Sequence, residues 1–496
     1  MRFRKSQVGA YSTLPGHGMT YLPGKIAGAL LLVSQIEDAV PLIHGPVGCS
    51  FQRKLNPYRP YSLFYETPCT NMDDVNAVYG GEEALEEAIV ETYERYRPRL
   101  IVVITTCASD LIGDDVKAVV ERAKRTVRCD VIYSTGNFVG RAKPVGYQDV
   151  FYAIVDQLLD EDRKAERIES SVNLITLALH GAGMKTAEMA SVLERMGIKI
   201  NKIYFDHTKV EDLYELPKAE LNIVDYPQVW TRVAKRKWGV DCYELRASHL
   251  YKDPEKLDPF GIEGSTRVFR EIAERLGKDE EGEKVIRKLK NEAQEKLYEL
   301  RKDIEGRRIA VEGGLSHGIG LMAIRELGMK VSALIYRTHG LEHHGYSEEA
   351  LKEKFSLDVE VARKYGSVPL VLVNPSAEEE IRALKETGTE LVICRAGSAP
   401  RYEAEGFKTF NSTNFALHHL RVGFECPLEL CRKMKEALEK PPRKASLLGL
   451  LEYDLLYPWL TPSWAKLKDI FGVTREGAKG EEVLVAALEE VSCESL

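Results

Sequence analysis

Two cysteines stand where a thiol can reach a ligand. His44-Gly-Pro-Val-Gly-Cys49 follows the apolar run Pro41-Leu-Ile43, and its cluster of breakers turns the backbone sharply before the thiol. Thr105-Thr-Cys-Ala-Ser-Asp-Leu-Ile-Gly-Asp-Asp115 follows Leu100-Ile-Val-Val-Ile104, whose unbroken, β-branched composition predicts a buried parallel strand. Gly113-Asp-Asp-Val then opens a helix with acids in its first turn. Cys107 is thereby set at the carboxyl end of a strand, the edge at which open α/β sheets bind their ligands. Thiolates hold iron–sulfur clusters, four per cluster as a rule, and the four need not come from one motif or one chain. Cys49 and Cys107 could supply half of such a set.

The elements that must position these loops alternate strand and helix throughout, which predicts an α/β class with parallel sheets. A first Rossmann-like unit, 1–169, ends in the striped helix Phe151-Tyr-Ala-Ile-Val-Asp-Gln-Leu-Leu159 and a charged linker at 160–170. A second, 170–304, carries strands at 172–179, 199–205 and 220–224 and closes with the highly charged stretch 279–304, read as a solvated connecting helix. A third, 305–440, takes its strands from Arg308-Ile-Ala-Val311, Lys330-Val-Ser-Ala-Leu-Ile335, Pro369-Leu-Val-Leu-Val373 and Glu390-Leu-Val-Ile-Cys394. The remainder, 441–496, holds Trp459 and Trp464 and predicts a helical extension laid against another surface.

Composition narrows the function. A chain of 496 residues suggests three domains of about 150 residues each, and 44% hydrophobic residues is ample for buried cores. The net charge of -7 gives no reason to expect nucleic acid. No apolar run approaches the roughly 20 residues that span a bilayer, and Met-Arg-Phe-Arg-Lys is not followed by the apolar segment of a secretory signal. Nine scattered cysteines, an odd number, fit a reducing cytoplasm in which thiols serve metals. The turns His180-Gly-Ala-Gly-Met184 and Glu312-Gly-Gly-Leu-Ser-His-Gly-Ile-Gly320 could offer amides to an anion, but neither completes a dinucleotide fingerprint. No Gly-x-x-x-x-Gly-Lys-Ser/Thr occurs, so if ATP drives a reaction here, another chain hydrolyses it.

Eleven histidines include His339, His343 and His344 in Thr338-His-Gly-Leu-Glu-His-His-Gly345. A spacing of four would align two of them on a helix, as a metal needs, whereas Gly340 and Gly345 favour a loop that lines a pocket or faces solvent. His317 has a similar standing after the Gly-Gly-Leu turn. All four could move protons near neutrality. Cys426 and Cys431 read as buried packing before metal.

The series Gly28-Ala29 through His44-Gly-Pro-Val-Gly-Cys49, then Asp73-Asp-Val-Asn-Ala-Val-Tyr-Gly-Gly81, then Thr105 to Asp115 resembles, in order and spacing, component I of the nitrogenase family. The likeness continues through Gly313-Gly-Leu315 and 338–346 to about Arg421. That family includes molybdenum-iron protein subunits, cofactor-assembly scaffolds, and reductases of chlorophyll and nickel-tetrapyrrole synthesis. The resemblance implies an iron–sulfur cluster at a subunit interface, held by Cys49 and Cys107. Gly24 stands where the family's third ligand would precede the first loop, with Met19 and Tyr21 nearby. A four-iron cluster shared by two protomers across a two-fold axis is therefore favoured, because an isologous interface duplicates both thiolates; a diverged sister subunit in a heterotetramer remains the alternative. Cys69, in Thr67-Pro-Cys-Thr-Asn71, is the substitute ligand to consider, against its ordinary reading as a small buried residue.

The same resemblance places Tyr226 and Asn411 where nitrogen-fixing members hold their larger cofactor through Cys and His, so nitrogen fixation is not expected. It places the histidine loop near the substrate pocket. It also implies a separate dimeric iron–sulfur ATPase as electron donor, for which Ile112, Gly113 and Asp114 are docking candidates, although such a turn also serves as a helix cap. Two functions follow: a reductase subunit acting on an unsaturated substrate such as a tetrapyrrole, or a scaffold that holds a metal-cluster precursor. Loss of the third cluster ligand favours the first.

Overall fold

A computed structural model describes residues 3–5, 25–50, 67–134, 143–159, 166–175, 182–205, 208–224, 228–245, 259–315, 318–338, 348–395, 398–412, 415 and 422–440. Three all-parallel sheets organise these residues. The first has strands β2 (Ala39–His44), β3 (Leu100–Thr105) and β4 (Asp130–Ser134), in that order; β1 (Phe3–Lys5) belongs elsewhere. The second has β5 (Ile168–Ile175), β6 (Lys199–Tyr204), β7 (Ala219–Val224) and β8 (Asp241–Glu244) in the order β6-β5-β7-β8. The third adds β9 (Arg308–Glu312), β10 (Lys330–Tyr336), β11 (Leu370–Val373), β12 (Leu391–Cys394) and β13 (Lys408–Asn411), ordered β1-β11-β10-β9-β12-β13. The α/β class of parallel sheets expected from the alternation is thus observed. Because Phe3–Lys5 pairs with Val371–Val373, the chain's first strand completes the third sheet rather than the first.

β3 shows why the first sheet forms. Leu100, Val102 and Ile104 enter one apolar cluster with the helix α1 (Lys25–Val33), while Ile101 and Val103 enter another with Leu85, Ile89, Val119 and Val120. Side chains alternate by face along a strand, so both faces must be covered. Each such aliphatic side chain contributes about 1.5–3 kcal/mol when fully buried. The first cluster continues into the second sheet through Ile175, Tyr204, Phe205 and Trp230, which welds the two units. The bond from Glu37 N to Thr208 O at 2.8 Å adds a polar stitch at that seam.

Two further elements differ from the sequence reading. The charged stretch after residue 278 is the helix Asp279–Leu300, but it buries Gly282, Ile286, Ala293 and Leu297 against the largest core cluster, so only part of its surface is solvated. The second sheet begins at Ile168, inside the charged stretch taken as a linker. Residues 441–496, with Trp459 and Trp464, lie outside the described residues.

Candidate metal centre

The two cysteine loops leave neighbouring strands at their carboxyl ends, since His44 pairs with Thr105 in register. From there each cysteine starts or occupies a short helix: α2 (Val47–Ser50) holds Cys49, and between α3 (Asp74–Tyr79) with α4 (Glu82–Tyr96) and β4 lies α5 (Cys107–Ile112). Thr106 caps α5 by accepting from Ser109 N, and Ser109 Oγ in turn accepts from Thr106 N at 2.9 Å. Gly113 ends α5 at φ +87°, a left-handed conformation in which a side chain would be strained.

A hydrogen-bond clamp ties the loops together. Buried His44 donates from Nε2 to Asp114 Oδ2 at 2.9 Å, the proton being assigned because a carboxylate can only accept. Its Nδ1 faces Thr70 Oγ1 at 3.2 Å, and Thr70 Oγ1 accepts from Gly45 N at 3.0 Å. Asp114 Oδ1 accepts from Gly81 N at 2.9 Å, and Ser109 Oγ donates to His44 O at 2.9 Å. Burial holds the His44 pKa below its ordinary value despite the opposing pull of Asp114. Close approach explains two of the glycines: a Cβ on Gly45 would lie 2.4 Å from the Thr106 side chain, and one on Gly81 would lie 2.9 Å from the His44 ring.

Three thiols share this end of the sheet. Cys69 is bridged to Ile43, with Ile43 N donating to Pro68 O at 2.9 Å and Thr70 N to Ile43 O at 3.0 Å. Cys49 and Cys69 are half-buried against the same apolar cluster, and Cys107 is exposed. Burial pushes the Cys49 thiol up, and the neighbouring charges of Cys107 and then Cys69 push it further. That mutual repulsion is what a cationic iron core would neutralise, so the donor set fits an iron–sulfur cluster. Among the described residues no group of three or more His, Cys, Asp or Glu side chains is placed to hold a metal ion.

Apolar side chains ring these thiols at the surface. Val47 on α2, Val75, Val78 and Tyr79 on α3, and Leu111 on α5 are all exposed, Tyr79 by 85% and Leu111 by 71%. Of the three docking candidates, Asp114 turns its carboxylate inward, with only 2% of the side chain exposed, because it serves the clamp. Gly113 faces solvent and Ile112 is half-buried. Leu111, one residue earlier, is the side chain that projects; sequence reading missed it because helix phase, not residue type, decides.

The other candidates fall at the third sheet or outside the described residues. Tyr226, His317, His339, His343 and His344 are among the latter. Asn411 ends β13 and is half-buried. The Gly313-Gly-Leu turn is gripped by buried Asp358, which accepts from Leu315 N at 3.2 Å and Tyr336 Oη at 2.6 Å. Thr338, at the base of the histidine loop, exchanges two hydrogen bonds with Asn374, at 2.8 and 2.7 Å. Beside it Glu312 accepts from Arg395 N and Ser398 Oγ, and buried Glu380 pairs with Arg337 and Arg401. This ionic floor was invisible in sequence, since its members are spread from 312 to 401.

Comparison with known proteins bears on the whole arrangement. A family model described as nitrogenase component 1 type oxidoreductase matches residues 25–439. The nitrogenase iron-molybdenum cofactor biosynthesis protein NifE of Methanococcus maripaludis is 27% identical over 318 residues, 61% of this chain and 62% of the relative. NifE of a Nostoc strain is 26% identical over 429 residues, covering 84% and 82%. The nitrogenase molybdenum-iron protein alpha chain of Clostridium pasteurianum is 26% identical over 255 residues, covering 49% and 45%. The structure of nitrogenase Cp1 at pH 6.5 superposes with a TM-score of 0.62 over 83% of this chain and 91% of that one, at 19% identity, a likeness of fold. Since the family match runs through all three sheets and both cysteine loops, the chain belongs to the nitrogenase component 1 type oxidoreductases.

Proposed function

We propose that the chain is an iron–sulfur subunit of a nitrogenase-like reductase, holding a four-iron cluster through Cys49 and Cys107 at a face shared with a second subunit. The observation that carries the reading is the convergence of two thiols on loops clamped by His44 and Asp114, inside a ring of exposed apolar side chains. Large exposed apolar groups around a polar centre mark a protein interface. The partners in this reading are a second copy or a sister subunit, and a separate iron–sulfur ATPase that docks near Leu111, Ile112 and Gly113. When bound, such a cluster supplies one-electron transfer at low potential. The chain's own residues fix the spacing of the thiols, and the apolar ring would exclude water from them once a second subunit covers it. The substrate class is an unsaturated small molecule, a tetrapyrrole being the first to try; the family resemblance makes His317, His339, His343 and His344 its proton donors and Tyr226 and Asn411 its pocket positions. The nine scattered cysteines, an odd number, support a reducing, cytoplasmic setting; no helix among the described residues is long and apolar enough to cross a membrane.

A second reading, a scaffold for cofactor assembly, is supported by the names of the relatives, NifE being a cofactor biosynthesis protein. One experiment separates the two. The chain is purified anaerobically, its iron, sulfide, solution mass and electron paramagnetic resonance are measured, and it is mixed with a reductase and candidate substrates. A reducible cluster lost in Cys49→Ala and Cys107→Ala, with substrate turnover, supports the reductase; a stable cluster released intact to an acceptor protein, without turnover, supports the scaffold. Iron indifferent to both substitutions sinks the ligand assignment.

A further inference from the structure

We propose that Cys69 is a third thiolate of the same cluster, so that one chain holds three corners and leaves only the fourth to a partner or an external ligand. The inference rests on the cluster reading of Cys49 and Cys107 given above.

The position of Cys69 is set by backbone, not by chance packing. Its segment runs parallel beside the end of β2, with hydrogen bonds to Ile43 on either side of the residue, at 2.9 and 3.0 Å. Thr70, the next residue, reaches both His44 Nδ1 and Gly45 N, and Met72 N donates to Gly45 O at 3.2 Å. The 67–72 segment is thus sewn along the very loop that carries Cys49. Its thiol is half-buried against the same apolar cluster as Cys49. The other thiols among the described residues are placed differently: Cys242 packs against the same apolar cluster but from β8 of the second sheet, Cys394, Cys426 and Cys431 are buried in other clusters, and Cys129 lies before β4, at the opposite end of the first sheet.

The three-thiol set changes the stoichiometry. Two thiolates per chain oblige two protomers to share one cluster, about two irons each; three thiolates let each chain retain about four.

The test uses the full chain, reconstituted anaerobically with ferrous iron and sulfide. Iron and sulfide per chain and the electron paramagnetic resonance of the reduced protein are compared for wild type, Cys69→Ala, Cys69→Ser, Cys49→Ala, Cys107→Ala and the control Cys129→Ala, with a thermal melt of each apo protein to show that it folds. About four irons in wild type and Cys129→Ala, with at least a twofold loss or a changed resonance in both Cys69 variants at unchanged melting, supports the proposal. Full iron and an unchanged resonance in the Cys69 variants, while Cys49→Ala and Cys107→Ala lose theirs, overturns it and leaves the two-thiolate reading standing. No cluster in wild type removes that reading and this proposal with it.

Discussion

The imidazole of His44 and the carboxylate of Asp114 meet at 2.9 Å across 70 residues of chain, and both are withdrawn from solvent. His44 ends β2 and starts the Cys49 loop, while Asp114 follows the helix that Cys107 begins. One buried contact therefore sets how far apart the two cysteine loops stand.

Removing Asp114 tests that contact. Asp114→Ala leaves the Gly81 amide and the His44 Nε2 proton without their acceptor, and unpaired buried donors cost roughly 1–3 kcal/mol each. A loss of about 2–6 kcal/mol in anaerobic urea unfolding is expected from those two donors, with Asp114→Asn losing less. A change below about 0.5 kcal/mol, typical of surface sites, would mean that the clamp holds nothing.

The same pair predicts a pH dependence. Burial lowers the folded-state pKa of His44 beneath its ordinary 6.5, against the opposing charges of Asp114, Asp110 and Glu82. The unfolded chain then binds the proton more readily, so this group's stability is present above pH 6.5 and declines as the pH falls from there through the lowered pKa. Unfolding free energies measured between pH 7.5 and 5 should fall on acidification and fall less steeply in His44→Gln. Equal slopes in the two proteins would refute the assignment.

Gly45 offers a steric test. A Cβ there would lie 2.4 Å from the side chain of Thr106, and the neighbour is itself fixed as the cap of α5. Gly45→Ala is expected to cost about 1–3 kcal/mol, the range for overpacking. Thr106→Ser removes the methyl that causes half of the conflict, so the double variant Gly45→Ala/Thr106→Ser should recover part of the loss; no recovery would locate the cost elsewhere.

The apolar ring makes a prediction about association. Tyr79 and Leu111 are mostly exposed, so Tyr79→Ser with Leu111→Asp should leave the thermal midpoint of the isolated chain nearly unchanged, within about 0.5 kcal/mol. If the ring is an interface, association measured by light scattering or with the reductase partner should weaken at least tenfold, about 1.4 kcal/mol. Unaltered association would assign the partner surface to another face.

Glu188 links the second and third units and can be tested alone. Its carboxylate accepts from the amides of Phe424 and Glu425 at the start of the helix Cys426–Glu439, while Ser265 Oγ donates to Gly423 O at 3.0 Å. Glu188→Ala should cost about 1–2 kcal/mol, as loss of a helix cap does. Glu188→Gln retains an acceptor and should cost less, as read by urea unfolding.

The class of the fold and the two thiols most worth pursuing are legible in the chain's local composition. Parallel strands buried on both faces are continuous apolar runs, as in Leu100-Ile-Val-Val-Ile104, and loop cysteines after such strands sit at the ligand-binding edge whatever the rest of the chain does. Local composition carries both facts. How distant segments meet is legible in the folded chain alone. Asp114 reads in sequence as an exposed turn acid, yet it is buried because His44 and Gly81 converge on it from other elements. Cys69 reads as either a substitute ligand or a small buried residue, and backbone pairing to Ile43 lays it along the Cys49 loop. The ionic floor of Glu312, Arg337, Glu380 and Arg401 assembles from four segments, and the apolar ring depends on which side of a short helix Leu111 faces. Strand composition is a property of neighbours in the chain, whereas these contacts are properties of neighbours in space, which the packing of the sheets and their covering helices had to create first.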